Sequence, residues 1–151
     1  MAQPTTAAGW VAHRYERVQA RVLAAVRDLD EEIMSWRPSG TNSIAFSVWH
    51  LARWADQLAP IVPLMAPELG VVLGPHRQLS ERERLAREWG FPAAGELGFV
   101  ETGMGMDEDL STRLPLPVKT VLLDYATRAF AEAQRATAQI DAGALLASGH
   151  S

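Results

Sequence analysis

Residues 42–57 read NSIAFSVWHLARWADQ, and this stretch decides the fold. Asn42 or Ser43 offers a side-chain oxygen to cap a helix start. At the helical step of about 100° per residue, Ile44, Val48, Leu51, Ala52, Ala55 and Leu58 fall on one apolar stripe. His50 lies at the margin of that stripe, with Phe46, Ser47, Trp54 and Gln57 on the same side. A helix of this kind buries its stripe and can present an imidazole to an internal cavity. Pro60, Pro63 and Pro67 are expected to end it.

The pattern repeats on either side. Val11, Tyr15, Val18, Val22, Ala25 or Val26, and Leu29 recur at three- and four-residue steps, which predicts a first amphipathic helix. Asp30 can cap a short turn after it, with Glu31 and Glu32 favourable near its start. Arg37-Pro38-Ser39-Gly40 then breaks the chain. Ser80 and Glu83 have the spacing of a capping box for a short helix through Trp89, closed by Gly90. Residues 91–117 read as an irregular connection rich in glycine and proline. A last long helix is expected from near Val118 to about Ile140, where Leu122, Ala126, Ala129, Ala133, Ala136 and Ile140 line one face. No segment alternates like a strand, so the fold class is all-α, and residues 1–151 show no boundary within a single domain.

Composition narrows the function. A net charge of −4 and a pI of about 5.5 argue against nucleic acid as a partner. Arg82, Arg84 and Arg87 are interleaved with Glu81, Glu83 and Glu88, the pattern of a solvated helix face. No apolar run approaches the ~20 residues that span a bilayer, and the N-terminus lacks the basic and apolar regions of a signal peptide. A cytoplasmic location without membrane contact is therefore expected. The chain has no cysteine, and Lys119 is its single lysine among 14 basic residues, a usage suggesting a GC-rich bacterial genome.

The chemistry concentrates at His50. One reading makes it a neutral imidazole offering a ring nitrogen to a divalent metal behind aromatic walls. The other makes it a bundle histidine bonded to a carbonyl or a side chain. Arg53 and Asp56, three residues apart, read as a surface ion pair. Trp49 and Trp54 read as core or interface residues. The loop Glu101-Thr102-Gly103-Met104-Gly105-Met106-Asp107 either closes over a cavity, supplying a ligand or general base, or packs as a connection whose glycines take positive φ. Phosphate-loop, hydrolase-elbow, zincin and EF-hand patterns are absent.

Several motifs then occur in a telling order. They are Leu29-Asp30-Glu31-Glu32-Ile33-Met34-Ser35-Trp36-Arg37-Pro38, Asn42-Ser43-Ile44-Ala45-Phe46 and Trp49-His50-Leu51-Ala52-Arg53-Trp54. Trp89-Gly90-Phe91-Pro92, Gly103-Met104-Gly105-Met106 and Leu122-Leu123-Asp124-Tyr125 follow. Over residues 10–146 the chain resembles the DinB-like superfamily of bacterial helical metal-binding proteins. The resemblance implies an up-down four-helix bundle, often a homodimer, with a metal such as zinc or nickel held by three histidines. It also implies thiol S-transferase or isomerase chemistry with a small thiol of the mycothiol type, in which the metal lowers the thiol pKa.

His50 matches the first histidine of that site. The other two form an HxxxH pair on a fourth helix, and no HxxxH occurs in this sequence. His150 stands in a Ser-Gly-His-Ser tail and matches no ligand position. The expectation is a domain with three long helices, either a truncated chain or a shortened relative whose metal site is incomplete. Two functions follow: a metal-dependent thiol S-transferase completed by ligands from elsewhere, or a non-catalytic, metal-free module that binds a small molecule or a partner. In both, the apolar groove left by the fourth helix is expected to be covered by a second copy.

Overall fold

The computed structural model describes residues 3–65 and 77–139. Among the described residues three long helices carry the architecture: α1 (Ala7–Arg27), α3 (Ile44–Met65) and α7 (Lys119–Ala138). Short helices α2 (Glu31–Ser35), α4 (Leu79–Arg82), α5 (Leu85–Glu88) and α6 (Glu108–Arg113) stand between them. Among the described residues no strand forms, and Phe99 and Met104 make an isolated bridge. The class is all-α, as the periodicity predicts.

The helix starts follow from their caps. Thr6 Oγ1 accepts from Gly9 N at 3.0 Å, Asp30 Oδ1 from Ile33 N at 2.8 Å, and Ser43 Oγ from Phe46 N at 3.0 Å. Lys119 ties the ends together. Its backbone N–H donates to Glu31, and its ammonium donates to the Arg27 and Leu29 carbonyls at 2.8 and 2.6 Å, where α1 leaves orphan acceptors.

Helix α7 is the central element, packing most extensively on α3 and next on α1. Its expected small-residue face is buried: Ala126, Ala129, Ala133 and Ala136 are fully enclosed, beside Leu122, Tyr125 and Phe130. Such short side chains let the backbones approach closely. Ile140 lies outside the described residues.

Several local expectations are corrected. Helix α3 continues through Pro60 and Pro63 to Met65, so those prolines do not stop it. Its buried face centres on Ala45, Val48, Trp49, Ala52, Ala55 and Ala59, leaving Leu51 at 43% exposure. On α1, Val11 and Val18 are over half exposed, while Ala8, Gln19 and Val26 are buried. Gln19 belongs there because Gln134 of α7 donates to it at 2.6 Å. A polar residue with a partner can displace an apolar stripe from the interface.

The expected capping box at Ser80 does not form. The chain makes α4, turns through Arg84 at φ 52°, and resumes as α5. Gly90, at φ 70°, does close α5, with Phe91 N donating to Ala86 O at 2.8 Å. The arginine–glutamate series is not simply solvated either. Arg82 pairs with Glu132, and Glu83 with Arg128, which docks this segment on α7. The Arg128 guanidinium holds the Glu83 carboxyl below its ordinary range.

Candidate functional site

Three polar side chains leave α3 at helical spacing and capture three successive carbonyls of one loop. Gln57 Nε2 donates to Val100 O at 2.6 Å, Arg53 Nε to Glu101 O at 2.7 Å, and His50 Nδ1 to Thr102 O at 2.6 Å. The loop is a tight reversal in which Thr102 N donates to Phe99 O and Gly103 N to Leu97 O. Val100 and Glu101 take positive φ of 43° and 60°, the signature of a type I′ turn. Few β-branched residues adopt that region. Gly103, at φ 87°, passes so close to α3 that a Cβ would stand 2.7 Å from Trp49 Cζ3 and 2.9 Å from Phe46 Cζ.

His50 is half-buried between Phe46, nearly parallel at 6.4 Å, and Trp54, edge-on at 6.4 Å. A carbonyl only accepts, so the Thr102 bond places the proton on Nδ1 and leaves the lone pair of the neutral ring on Nε2. Metal-bound histidines are commonly held in this way. The rest of a shell does not assemble: among the described residues, no three His, Cys, Asp or Glu converge on a point. His13 sits on α1 against Trp10, and His76 and His150 lie outside the described residues. The described residues therefore do not fit a resident metal by themselves.

Arg53 and Asp56 are not a surface pair. Their side chains are 6% and 0% exposed, 3.1 Å apart. Asp56 accepts from Leu79 N at 2.6 Å, Ser80 N at 2.9 Å and Tyr125 Oη at 2.8 Å, so it caps α4 from another helix. Ser80 Oγ instead accepts from Arg53 at 2.6 Å. Burial pushes the Tyr125 phenol far above its ordinary value, with the Arg53 charge opposing and the Asp56 charge reinforcing the shift. Spacing revealed that Arg53 and Asp56 are paired, but not that α4 and Tyr125 seal them.

Beside this network lies a cavity of about 250 Å³. Trp49, Trp89, Phe91, Tyr125, Leu85 and Leu97 wall it, and Arg53, Arg84, Arg87, Glu81 and Glu101 contribute the charges. The rings meet edge to face: Trp49–Phe91 at 5.6 Å, Trp89–Phe91 at 5.5 Å and Trp89–Tyr125 at 5.5 Å. The Trp49 indole N–H is buried without an acceptor among the described residues. Trp89 and Phe91 were visible in the sequence only as a motif, because their convergence depends on the turn at Arg84. Glu101 does reach the cavity, as the loop reading allowed.

A helical bundle with a half-buried histidine on its second long helix, held by a glycine-rich loop, defines the class of protein. A family model described as the DinB superfamily matches residues 14–151, and the chain belongs to that superfamily. Neither a curated protein nor a solved structure matches the chain. No helix among the described residues is long and apolar enough to cross a membrane.

Proposed function

We propose that this DinB-superfamily domain binds a small molecule in the cavity between α3, α5 and α7, without needing metal there. The cavity itself carries the reading: a concave, mostly aromatic site with a few convergent charged groups is how ligand sites are generally built. Arg53, fixed by Asp56, Ser80 and the Glu101 carbonyl, gives it a rigid floor. Ala86 is exposed and contributes to the wall. Titration with naphthalene derivatives should therefore saturate on the wild type and vanish in Ala86→Trp, whose indole would fill the space. Equal uptake by both proteins would end the proposal.

The tautomer of His50 favours a second reading, metal-dependent thiol S-transfer. His50 Nε2 would be one ligand of zinc or nickel, with a mycothiol-type thiol as co-substrate. The remaining ligands would have to come from a second copy or from residues outside those described. Elemental analysis of untagged protein tests it: a stoichiometric metal that resists dialysis and disappears in His50→Ala would favour this reading over the first.

Both readings place the protein in the cytoplasm as a homodimer. Trp10, Val11 and Val18 on α1 are exposed apolar residues that self-association would cover. A stable monomer in sedimentation at micromolar concentration would refute the dimer.

A further inference from the structure

We infer that the cavity selects a flat, singly anionic ligand, an arene carboxylate, with its ring among Trp89, Phe91 and Trp49 and its carboxylate at Arg84 and Arg87. The inference rests on the ligand-binding reading and adds the class of ligand. Size comes first. A cavity of about 150 Å³ accepts benzene, so about 250 Å³ admits a fused bicyclic ring. The wall aromatics contact one another edge to face, which leaves a flat guest to supply the stacked contact.

Charge comes second. Arg53 is already paired with Asp56 and stands 3.8 Å from the Glu101 carboxylate, and Arg82 and Arg128 are paired with Glu132 and Glu83. The Arg84 and Arg87 side chains have no ion pair or hydrogen bond among the described residues, yet both line the cavity. Arg84 reaches the cavity from the left-handed turn before α5, and Arg87 from α5 itself. Asp56 already neutralises Arg53, so Glu81 and Glu101 balance Arg84 and Arg87 in overall count, and the anion preference comes from two guanidinium groups left unpaired at the aromatic wall. A single carboxylate offers an oxygen to each of them.

The positive φ of Arg84 turns the chain at the cavity. It also makes a clean test, because Arg84→Gly removes the charge at a φ that glycine accepts freely. The probes are 2-naphthoate, 2-naphthylmethanol and 2-naphthylmethylammonium, titrated by calorimetry into wild type and the Arg84→Gly/Arg87→Gln double variant. The naphthoate is expected to bind the wild type about ten-fold tighter than the alcohol, as one charge-assisted contact allows. The preference should shrink with added salt and disappear in the double variant, while the alcohol binds both proteins equally. Equal binding of naphthoate and alcohol to the wild type would overturn the anion preference and leave the ligand-binding reading standing. So would a preference for the ammonium, which would make Glu81 the dominant charge. No binding by any probe would overturn both.

Discussion

The Tyr125 phenol crosses from α7 to the Asp56 carboxylate on α3 and donates to it at 2.8 Å, with both side chains sealed from water. Asp56 also accepts from Arg53 and from two amides at the start of α4, so one carboxylate joins three elements. A buried charge is tolerable when its lone pairs are used and an opposite charge is adjacent. Asp56→Ala should therefore cost about 3–5 kcal/mol by leaving Arg53 buried with only the more distant Glu101 carboxylate beside it. Tyr125→Phe removes one donor of four and should cost about 1–2 kcal/mol. Urea denaturation measures both, and a near-neutral Asp56→Ala would mean that the network does not hold α4 in place.

Alkali should weaken the fold through its phenols. Burial lifts both Tyr125 and Tyr15 from the ordinary value of 10.0. A raised native pKa gives stability that is complete below the unfolded value and is lost as pH climbs past it. From pH 10 upward the unfolded chain releases a proton that native Tyr125 keeps, a loss approaching about 1.4 kcal/mol per pH unit. Denaturation at successive pH values should show this decline, and Tyr125→Phe should flatten it. Tyrosinate absorbance from both phenols while the protein remains folded at pH 10 would contradict the shifts.

Two glycines of one loop should respond unequally to alanine. Gly103 and Gly105 both have positive φ, so each substitution carries about 1 kcal/mol of backbone cost. At Gly105 the new methyl meets open space, whereas at Gly103 it strikes Trp49 and Phe46. Gly103→Ala should lose about 1–3 kcal/mol more than Gly105→Ala. Thermal melts of the pair decide it, and equal losses would mean that the loop does not press on α3 as described.

His50→Gln should barely disturb the fold, at about 1 kcal/mol for one altered hydrogen bond. In parallel, the protein should retain divalent metal weakly or not at all after dialysis, since one imidazole is no coordination shell. Metal analysis and melting of the two proteins test both statements. A full equivalent of metal, lost on the substitution, would show that the shell is completed beyond the described residues.

The fold class was legible because it rests on local signals. The Ser43 and Asp30 caps and the alanine face of α7 need only neighbouring residues to be recognised. Where partners lie far along the chain, the reading failed. Gln19 is buried because Gln134 meets it, and Ser80 abandons its capping role because Asp56 takes it over. The candidate site divides the same way. His50 stood out by residue type, and its bond to a carbonyl was one of the two arrangements its position suggested. The aromatic cavity could not be seen, since a left-handed arginine turns Trp89 toward Tyr125 and no local propensity announces that turn.

Helix α3 holds the 98–104 loop chiefly by three carbonyl oxygens, with the Glu101 carboxylate 3.8 Å from Arg53 and the Phe99 ring against Trp54 as added side-chain contacts. Every residue has a carbonyl, so Phe99, Val100 and Met104, all exposed, take no part through their side chains in the three bonds from α3. Thr102 and Gly103 are fixed by packing, one enclosed and the other pressed against Trp49, and so is Gly98, where a Cβ would stand 2.5 Å from the Met104 carbonyl oxygen. In those three bonds chemical identity is thus uncoupled from shape on one side of the grip. The carbonyls can be carried by other residues that accept the turn, whereas no equivalent freedom exists for Gln57, Arg53 and His50, the hand that does the holding.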